Sequence, residues 1–253
     1  MGTPEATIPA SDDGLQRGDG VFEVIRLYRV RPFALAEHLD RMERSAAAIE
    51  LPLARSPLES QIEALLESFG KHDGQLRLIV TRGGRRLAFT EPLPPRGETI
   101  ALASVTFSPS VILTGVKSLS YAANMQATRL AKARGAEEAL LVRPDGIVLE
   151  APTSTIFWVS PEGHLQTPSI DSGILESITR ARIVGELQVE EGAYPIEDLV
   201  GAQEAFLAST TREVQPISAI DGRPLPEAPG GRTTEAIEGF SGVLERELGG
   251  VAS

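Results

Sequence analysis

The chain contains no cysteine, and its only histidines are His38, His72 and His164. Without cysteine there is no disulfide, no zinc–thiolate or iron–sulfur site and no thiol nucleophile, and a cytoplasmic setting becomes more natural than a secreted one. None of the histidines is paired at ligand spacing, which argues against a histidine-built metal centre. Cations are the minority charge: 24 Lys+Arg against 35 Asp+Glu leave a formal net charge of −11. Such a surface is unsuited to phosphate backbones, so no nucleic-acid partner is expected. No apolar run approaches the ~18 residues of a membrane span, and the start MGTPEATIPASDDG has neither the basic residues nor the apolar stretch of a leader. Phosphate-loop and nucleophile-elbow patterns are missing as well. Gly18-Asp19-Gly20-Val21-Phe22-Glu23 breaks the dinucleotide fingerprint at its last position.

What is present is a globular composition, 42% hydrophobic and 23% charged over 253 residues, enough for one large or two small domains. Val21 to Tyr28 is a β-branched-rich run behind Gly20 and predicts a strand. Leu35, Leu39, Met42, Ala46 and Ile49 recur at helical spacing, and Pro52 ends that helix. Ser56-Pro57-Leu58-Glu59 has the spacing of a capping box and predicts a second helix running to about Phe69. Strands are expected at Gln75–Thr81 and Thr99–Phe107, with a Pro-rich loop from Glu91 to Arg96 between them. Pro109 and Gly115 mark a crossover. The expected division is therefore a small α/β domain over 1–107, a linker over 108–115 and a larger domain over 116–253. In the latter, a helix ending at Gly135, hairpin turns at Asp145-Gly146 and Pro161-Glu162-Gly163, a helix over 177–187, strands over 204–220 and a closing helix over 233–248 are predicted.

The scarcity of lysine makes each one easy to judge. Lys71 lies in a Gly-bounded turn and Lys132 among arginines on a helix, so both read as solvated charges. Lys117 is flanked by Val116 and Leu119, where burial would favour the neutral amine needed for imine chemistry, although a strand-edge surface lysine fits the same context. Taken singly, Glu150 reads as a turn acid, Arg41 as an exposed ion-pair partner of Glu37, Asp40 or Glu43, Ile178-Thr179 as an ordinary helix start, and Ser209-Thr210-Thr211 as a polar strand end.

In order and spacing these segments are a different matter. Gly18-Asp19-Gly20-Val21-Phe22-Glu23, Glu37-His38-Leu39-Asp40-Arg41, Val116-Lys117-Ser118-Leu119, Gly135-Ala136-Glu137-Glu138-Ala139-Leu140, Asp145-Gly146 to Glu150, Gly173-Ile174-Leu175 to Ile178-Thr179-Arg180, and Ser209-Thr210-Thr211-Arg212-Glu213-Val214 together resemble the class IV, fold-type IV pyridoxal-phosphate enzymes. That family holds branched-chain and D-amino-acid aminotransferases and 4-amino-4-deoxychorismate lyases, and the resemblance runs from about Gly18 to Asp221. It implies an α+β fold with an α/β small lobe and a barrel-like C-terminal lobe, a homodimer, and pyridoxal 5′-phosphate as cofactor.

The resemblance also implies roles. Lys117 is the Schiff-base lysine and the base that moves the α-proton. Glu150 pairs with the pyridine nitrogen. Arg41 holds the phosphate, helped by Ile178, Thr179, Ser209 and Thr210. Tyr121 is offered to the cofactor phenolate oxygen, although branched-chain enzymes place that tyrosine five residues after the lysine rather than four. Arg26, Arg77, Thr211 and Arg212 are candidates for the substrate. At Arg212 related enzymes usually carry a small residue, so its guanidinium either binds a carboxylate or points to solvent. Ser177 and Ala151 also stand where many relatives have Gly. The activity implied is transamination between an amino acid or amine and a 2-oxo acid, in two half-reactions through pyridoxamine phosphate. The alternative is the lyase that releases pyruvate from aminodeoxychorismate, although lyases often have Thr where Glu23 stands.

Overall fold

A computed structural model describes residues 7–70 and 72–249, so Lys71 lies outside the described residues. The chain folds into two compact units that are interleaved along the sequence. One takes described residues 7–94, 115–121 and 244–249; the other takes 95–114 and 122–243.

The smaller unit is built on a four-stranded sheet of order β2-β1-β3-β4, formed by β1 (Gly20–Tyr28), β2 (Arg31–Pro32), β3 (Gly74–Thr81) and β4 (Arg86–Glu91). All its pairings are antiparallel. Alternation along β1 sends Val21, Glu23, Ile25 and Leu27 to one face. There Val21, Ile25 and Leu27 pack with Leu76, Leu78 and Val80 of β3 against α2 (Leu35–Ala48) and α3 (Arg55–Phe69). Helix α2 buries the stripe His38, Leu39, Arg41, Met42, Ser45 and Ala46, whose spacing of three and four lines one side of a helix. Helix α3 starts at Arg55, its N-cap Ala54 makes no side-chain cap bond, and Arg55 Nε instead reaches Glu59 at 2.8 Å. The expected capping box at Ser56 is therefore corrected: Ser56 lies inside the helix. The short helix α1 (Asp13–Arg17) precedes the sheet, capped by Asp12.

The larger unit holds an eight-stranded sheet of order β6-β5-β11-β10-β7-β8-β9, with β12 beside β11. Its strands are β5 (Ile100–Thr106), β6 (Glu138–Val142), β7 (Thr155–Val159), β8 (Leu165–Pro168), β9 (Glu190–Gly192), β10 (Glu204–Ser209), β11 (Glu213–Ile220) and β12 (Arg223–Pro224). Parallel pairs β11/β5, β5/β6 and β8/β9 interrupt an otherwise antiparallel array. The helices are α4 (Ala122–Ala133), α5 (Ile178–Glu186), α6 (Ile196–Val200) and α7 (Gly231–Leu248). Trp158, Leu207, Ile217, Leu140 and Ile156 form the centre of its core.

The consecutive division expected from sequence, with a break over 108–115, differs from these units at three places. Strand β5 pairs with β6 and β11 and so belongs to the larger unit, while Gly115–Tyr121 and the end of α7 from Leu244 belong to the smaller one. No helix among the described residues is long and apolar enough to cross a membrane.

Candidate active site

In the smaller unit, the segment around Lys117 lies along the edge of β1. Phe22 N–H donates to the Lys117 carbonyl at 3.1 Å and Leu119 N–H to the Gly20 carbonyl at 2.9 Å, and Val21 bridges Ser118. Gly20 has no room for a side chain: a Cβ there would collide with the Val80 carbonyl oxygen of β3 and lie 2.7 Å from Leu119 Cδ1. Lys117 N–H also donates to Ser45 Oγ at 3.1 Å. The Lys117 side chain is half-buried, with Nζ 4.6 Å from the centroid of the Phe22 ring. Tyr121 meets the same ring edge-on, at 5.3 Å between centroids. The lysine is thus held at its backbone from both sides, with its amine over an aromatic face.

Behind it, on the core face of β1, sits a carboxylate that sequence patterning treated only as a motif position. Glu23 is fully buried. Arg41 grips it with two nitrogens, Nε to Oε1 at 2.8 Å and Nη2 to Oε2 at 2.7 Å, and His38 Nδ1 lies 2.8 Å from Oε2. Burial alone would raise the Glu23 pKa, but the Arg41 charge and the hydrogen bonds from Arg41 and His38 outweigh it and pull the value down to about 2. Glu23 is therefore ionised. Burial lowers the His38 pKa, against the opposing pull of Glu23 and with the Arg41 and Lys117 charges adding to the decrease; the ring is neutral, with its proton assigned to Nδ1 facing the carboxylate. His38, Arg41 and Ser45 follow at i, i+3 and i+7 on α2, so one polar ridge of this helix fixes both Glu23 and the Lys117 backbone. Arg41 is consequently a buried ion-pair member, 5% exposed, and the bland expectation of an exposed partner for Glu37, Asp40 or Glu43 is corrected.

The opposite face of the same sheet carries Arg26 and Arg77, since Val24 pairs with Arg77 and Arg26 with Gln75. Arg77 Nε donates to Glu91 at 2.8 Å, and the Arg26 guanidinium stacks on the Tyr28 ring at 4.9 Å, within 3.9 Å of Asp73. Arg82, in the turn between β3 and β4, ties back to Asp19 and to the carbonyls of Ile49 and Glu50.

In the larger unit, Glu150 follows a short antiparallel return on β6, where Leu141 N–H donates to the Glu150 carbonyl at 2.9 Å. Its Oε1 accepts the Leu175 N–H at 3.1 Å, which aims the carboxylate at the segment leading into α5. Ser177 is the N-cap of α5, its Oγ accepting the Arg180 N–H at 3.3 Å, so the serine standing in place of a glycine has a structural task. Ile178 and Thr179 fill the first turn, where a helix offers their N–H groups no carbonyl. Thr179 is wholly buried and its Oγ1 has no hydrogen-bond partner among the described residues, a state it shares with the hydroxyls of Ser154, Thr155 and Thr233. Helix α5 packs on β10, at whose end Ser209, Thr210, Thr211 and Arg212 turn the chain into β11. Arg212 reaches Gln215 Oε1 at 2.6 Å and Glu138 Oε2 at 3.1 Å. Of the two expectations for this guanidinium, solvent and a substrate carboxylate, the solvent one is corrected: it is held by the chain's own Glu138.

The smaller unit thus presents a lysine over an aromatic ring, and the larger one an acid aimed by a backbone amide and a helix start with a buried hydroxyl. The family model for class IV aminotransferases matches residues 20–220. The chain belongs to the class IV aminotransferase family. It is 33% identical to D-alanine aminotransferase of Bacillus licheniformis, covering 94% of this chain and 92% of that one. It is 34% identical to a putative branched-chain-amino-acid aminotransferase of Methanocaldococcus jannaschii over 92% and 90%, and 29% identical to the aminodeoxychorismate lyase of Bacillus subtilis over 87% and 84%. A hypothetical aminotransferase from Mycobacterium tuberculosis, solved in its PLP-bound form, superposes with a TM-score of 0.86 at 26% identity, over 94% and 93% of the two chains. The fold is thus that of fold-type IV aminotransferases, and the cofactor of this enzyme family is pyridoxal 5′-phosphate.

Proposed function

We propose that this class IV enzyme is a transaminase moving an amino group between an amino acid or amine and a 2-oxo acid. The observation that carries the reading is the setting of Lys117, its backbone pinned to β1 and to Ser45 and its amine over Phe22. When bound, pyridoxal phosphate supplies an aldehyde that condenses with amines and a ring that accepts electrons. Lys117 is the amine that binds it and, once released, the base that takes the proton from the α-carbon of the donor. Glu150, aimed by Leu175 N–H, accepts a hydrogen bond from the ring nitrogen and holds its proton there. The N–H groups of Ile178 and Thr179, the orphaned Thr179 hydroxyl, Ser209 and Thr210 suit a phosphate dianion. Arg41, already locked to Glu23, adds positive charge for it. Tyr121, seated on Phe22, is proposed for the ring oxygen, and Arg26, Arg77 and Thr211 for the substrate.

We further propose a homodimer working in the cytoplasm. Val111 and Ile112, 89% and 85% exposed, are apolar side chains of the kind a partner subunit covers. The second reading, an aminodeoxychorismate lyase using the same lysine, is supported by the Bacillus subtilis relative. Glu23, where lyases often carry Thr, favours the transaminase.

The test is an absorbance titration of the cofactor-loaded enzyme with L-amino acids, D-amino acids, simple amines and aminodeoxychorismate in turn. A transaminase is converted by one donor class to the aminated cofactor, and a 2-oxo acid restores the original band. Pyruvate release from aminodeoxychorismate without any oxo-acid acceptor would replace this reading with the lyase.

A further inference from the structure

The turn between β10 and β11 is braced from behind. Ser209 Oγ accepts the Arg212 N–H at 3.4 Å, and the Arg212 guanidinium forks, Nη1 to Gln215 Oε1 at 2.6 Å and Nη2 to Glu138 Oε2 at 3.1 Å. Both partners are anchored in turn. Glu138, buried at the start of β6, accepts from Thr128 Oγ1 of α4 at 2.6 Å and from Ala139 N–H at 3.1 Å through its other oxygen. Gln215, 1% exposed, donates to the Gly97 carbonyl at 2.9 Å. One side chain therefore ties the turn to α4, to β6, to β11 and to the segment entering β5. The turn needs such a brace: Glu213, which closes it, is a non-glycine residue with φ of 58°, a left-handed conformation that persists only where its surroundings enforce it. The pair also forms part of the wall of a cleft of about 520 Å³, and Glu138 occupies one edge of the guanidinium.

We propose that Arg212 is a positioning residue, holding Ser209, Thr210 and Thr211 in the shape that receives the cofactor phosphate, and is not a substrate contact. This rests on the reading that the same turn binds that phosphate. A brace that acts only through the phosphate leaves a signature no general loss of stability produces, because pyridoxal, which lacks the phosphate, does not sense it.

The experiment is a titration of the cofactor-free protein with pyridoxal phosphate and, separately, with pyridoxal, for wild type, Arg212→Met, Arg212→Lys and Thr210→Ala, with thermal melting to establish that each variant is folded. Arg212→Met weakens pyridoxal-phosphate affinity by about tenfold, the scale of one lost charge-assisted hydrogen bond, and leaves pyridoxal affinity unchanged. Arg212→Lys recovers part of the loss, since an ammonium reaches one partner but cannot fork to two; it also keeps the test alive if the Met variant does not fold. Equal losses for both ligands, or no loss for either, would overturn the brace. Thr210→Ala separates the two ideas: a fall in phosphate preference here but not in the Arg212 variants refutes the brace alone, whereas an unchanged preference in Thr210→Ala removes the phosphate reading beneath it.

Discussion

Replacing Glu23 by Gln keeps the shape of the side chain but takes a buried carboxylate away from Arg41 and His38. Glu23 is 0% and Arg41 5% exposed, with Arg41 contacts of 2.8 and 2.7 Å. Breaking a buried pair of this kind from one side costs about 3–5 kcal/mol, which for a protein of this size lowers the melting temperature by about 10 °C. The pH dependence carries its own sign. The Glu23 carboxyl titrates near 2 in the folded chain, below the ~4.3 of an unfolded glutamate. Its stabilisation, about 3 kcal/mol, is therefore complete above pH ~4.5 and drains away as the pH falls toward 2. His38, whose pKa is lowered by burial, contributes a separate loss that starts below the ~6.5 of a free imidazole, because the unfolded chain takes up that proton first. Calorimetry and urea unfolding across pH 3–8 on wild type and Glu23→Gln give the carboxylate, together with its pull on His38, as the difference between the two curves. A variant within about 1 kcal/mol of wild type at pH 7, with the same acid slope, would refute the argument that this pair is ionised and matters to the fold.

Three other outcomes follow from the same geometry. Thr179→Val removes a buried hydroxyl that no group among the described residues satisfies, so the cofactor-free protein keeps its stability or gains up to about 1 kcal/mol, while pyridoxal-phosphate affinity falls about tenfold; melting and titration check the two halves separately. Glu150→Gln retains an oxygen for the Leu175 N–H and so melts like wild type, but its turnover number drops on the order of 10²-fold because the charge proposed to face the ring nitrogen is gone, as steady-state kinetics would measure. Changing Val111 and Ile112 together to Ser leaves the protomer folded, since both are exposed, and shifts the enzyme toward monomer in sedimentation velocity.

Local pattern made much of this architecture legible. The run after Gly20 became β1, the spacing from Leu35 became α2, and the stretch from 177 became α5 with Ser177 as its cap. Strand β4 was missed because Arg86–Glu91 is partly exposed throughout its interior and shows no alternation; its pairing with β3 supplies what periodicity does not. The interleaving of the two units was not legible for a related reason: β5 is placed by parallel partners more than 30 residues away, and the Lys117 segment by a bridge to Val21. At the site, Lys117, Glu150 and Thr179 read as ordinary one by one and were singled out only by the family resemblance, and nothing in the sequence marked what holds them. Glu23 carried a signal that was available, a charge on the inward register of an otherwise apolar strand face, opposite a His-x-x-Arg spacing on the next helix. Arg212 carried none, since its partner Glu138 is 74 residues away.

The scarcity of lysine makes the proposed role of Lys117, the amine that carries the cofactor, directly testable. Borohydride reduction of the cofactor-loaded enzyme followed by peptide mass mapping would place the pyridoxyl mass on the peptide containing Lys117 and leave those containing Lys71 and Lys132 unmodified. A stoichiometric label on either of the other two lysines, or none on Lys117 in an enzyme that still turns over, would contradict it.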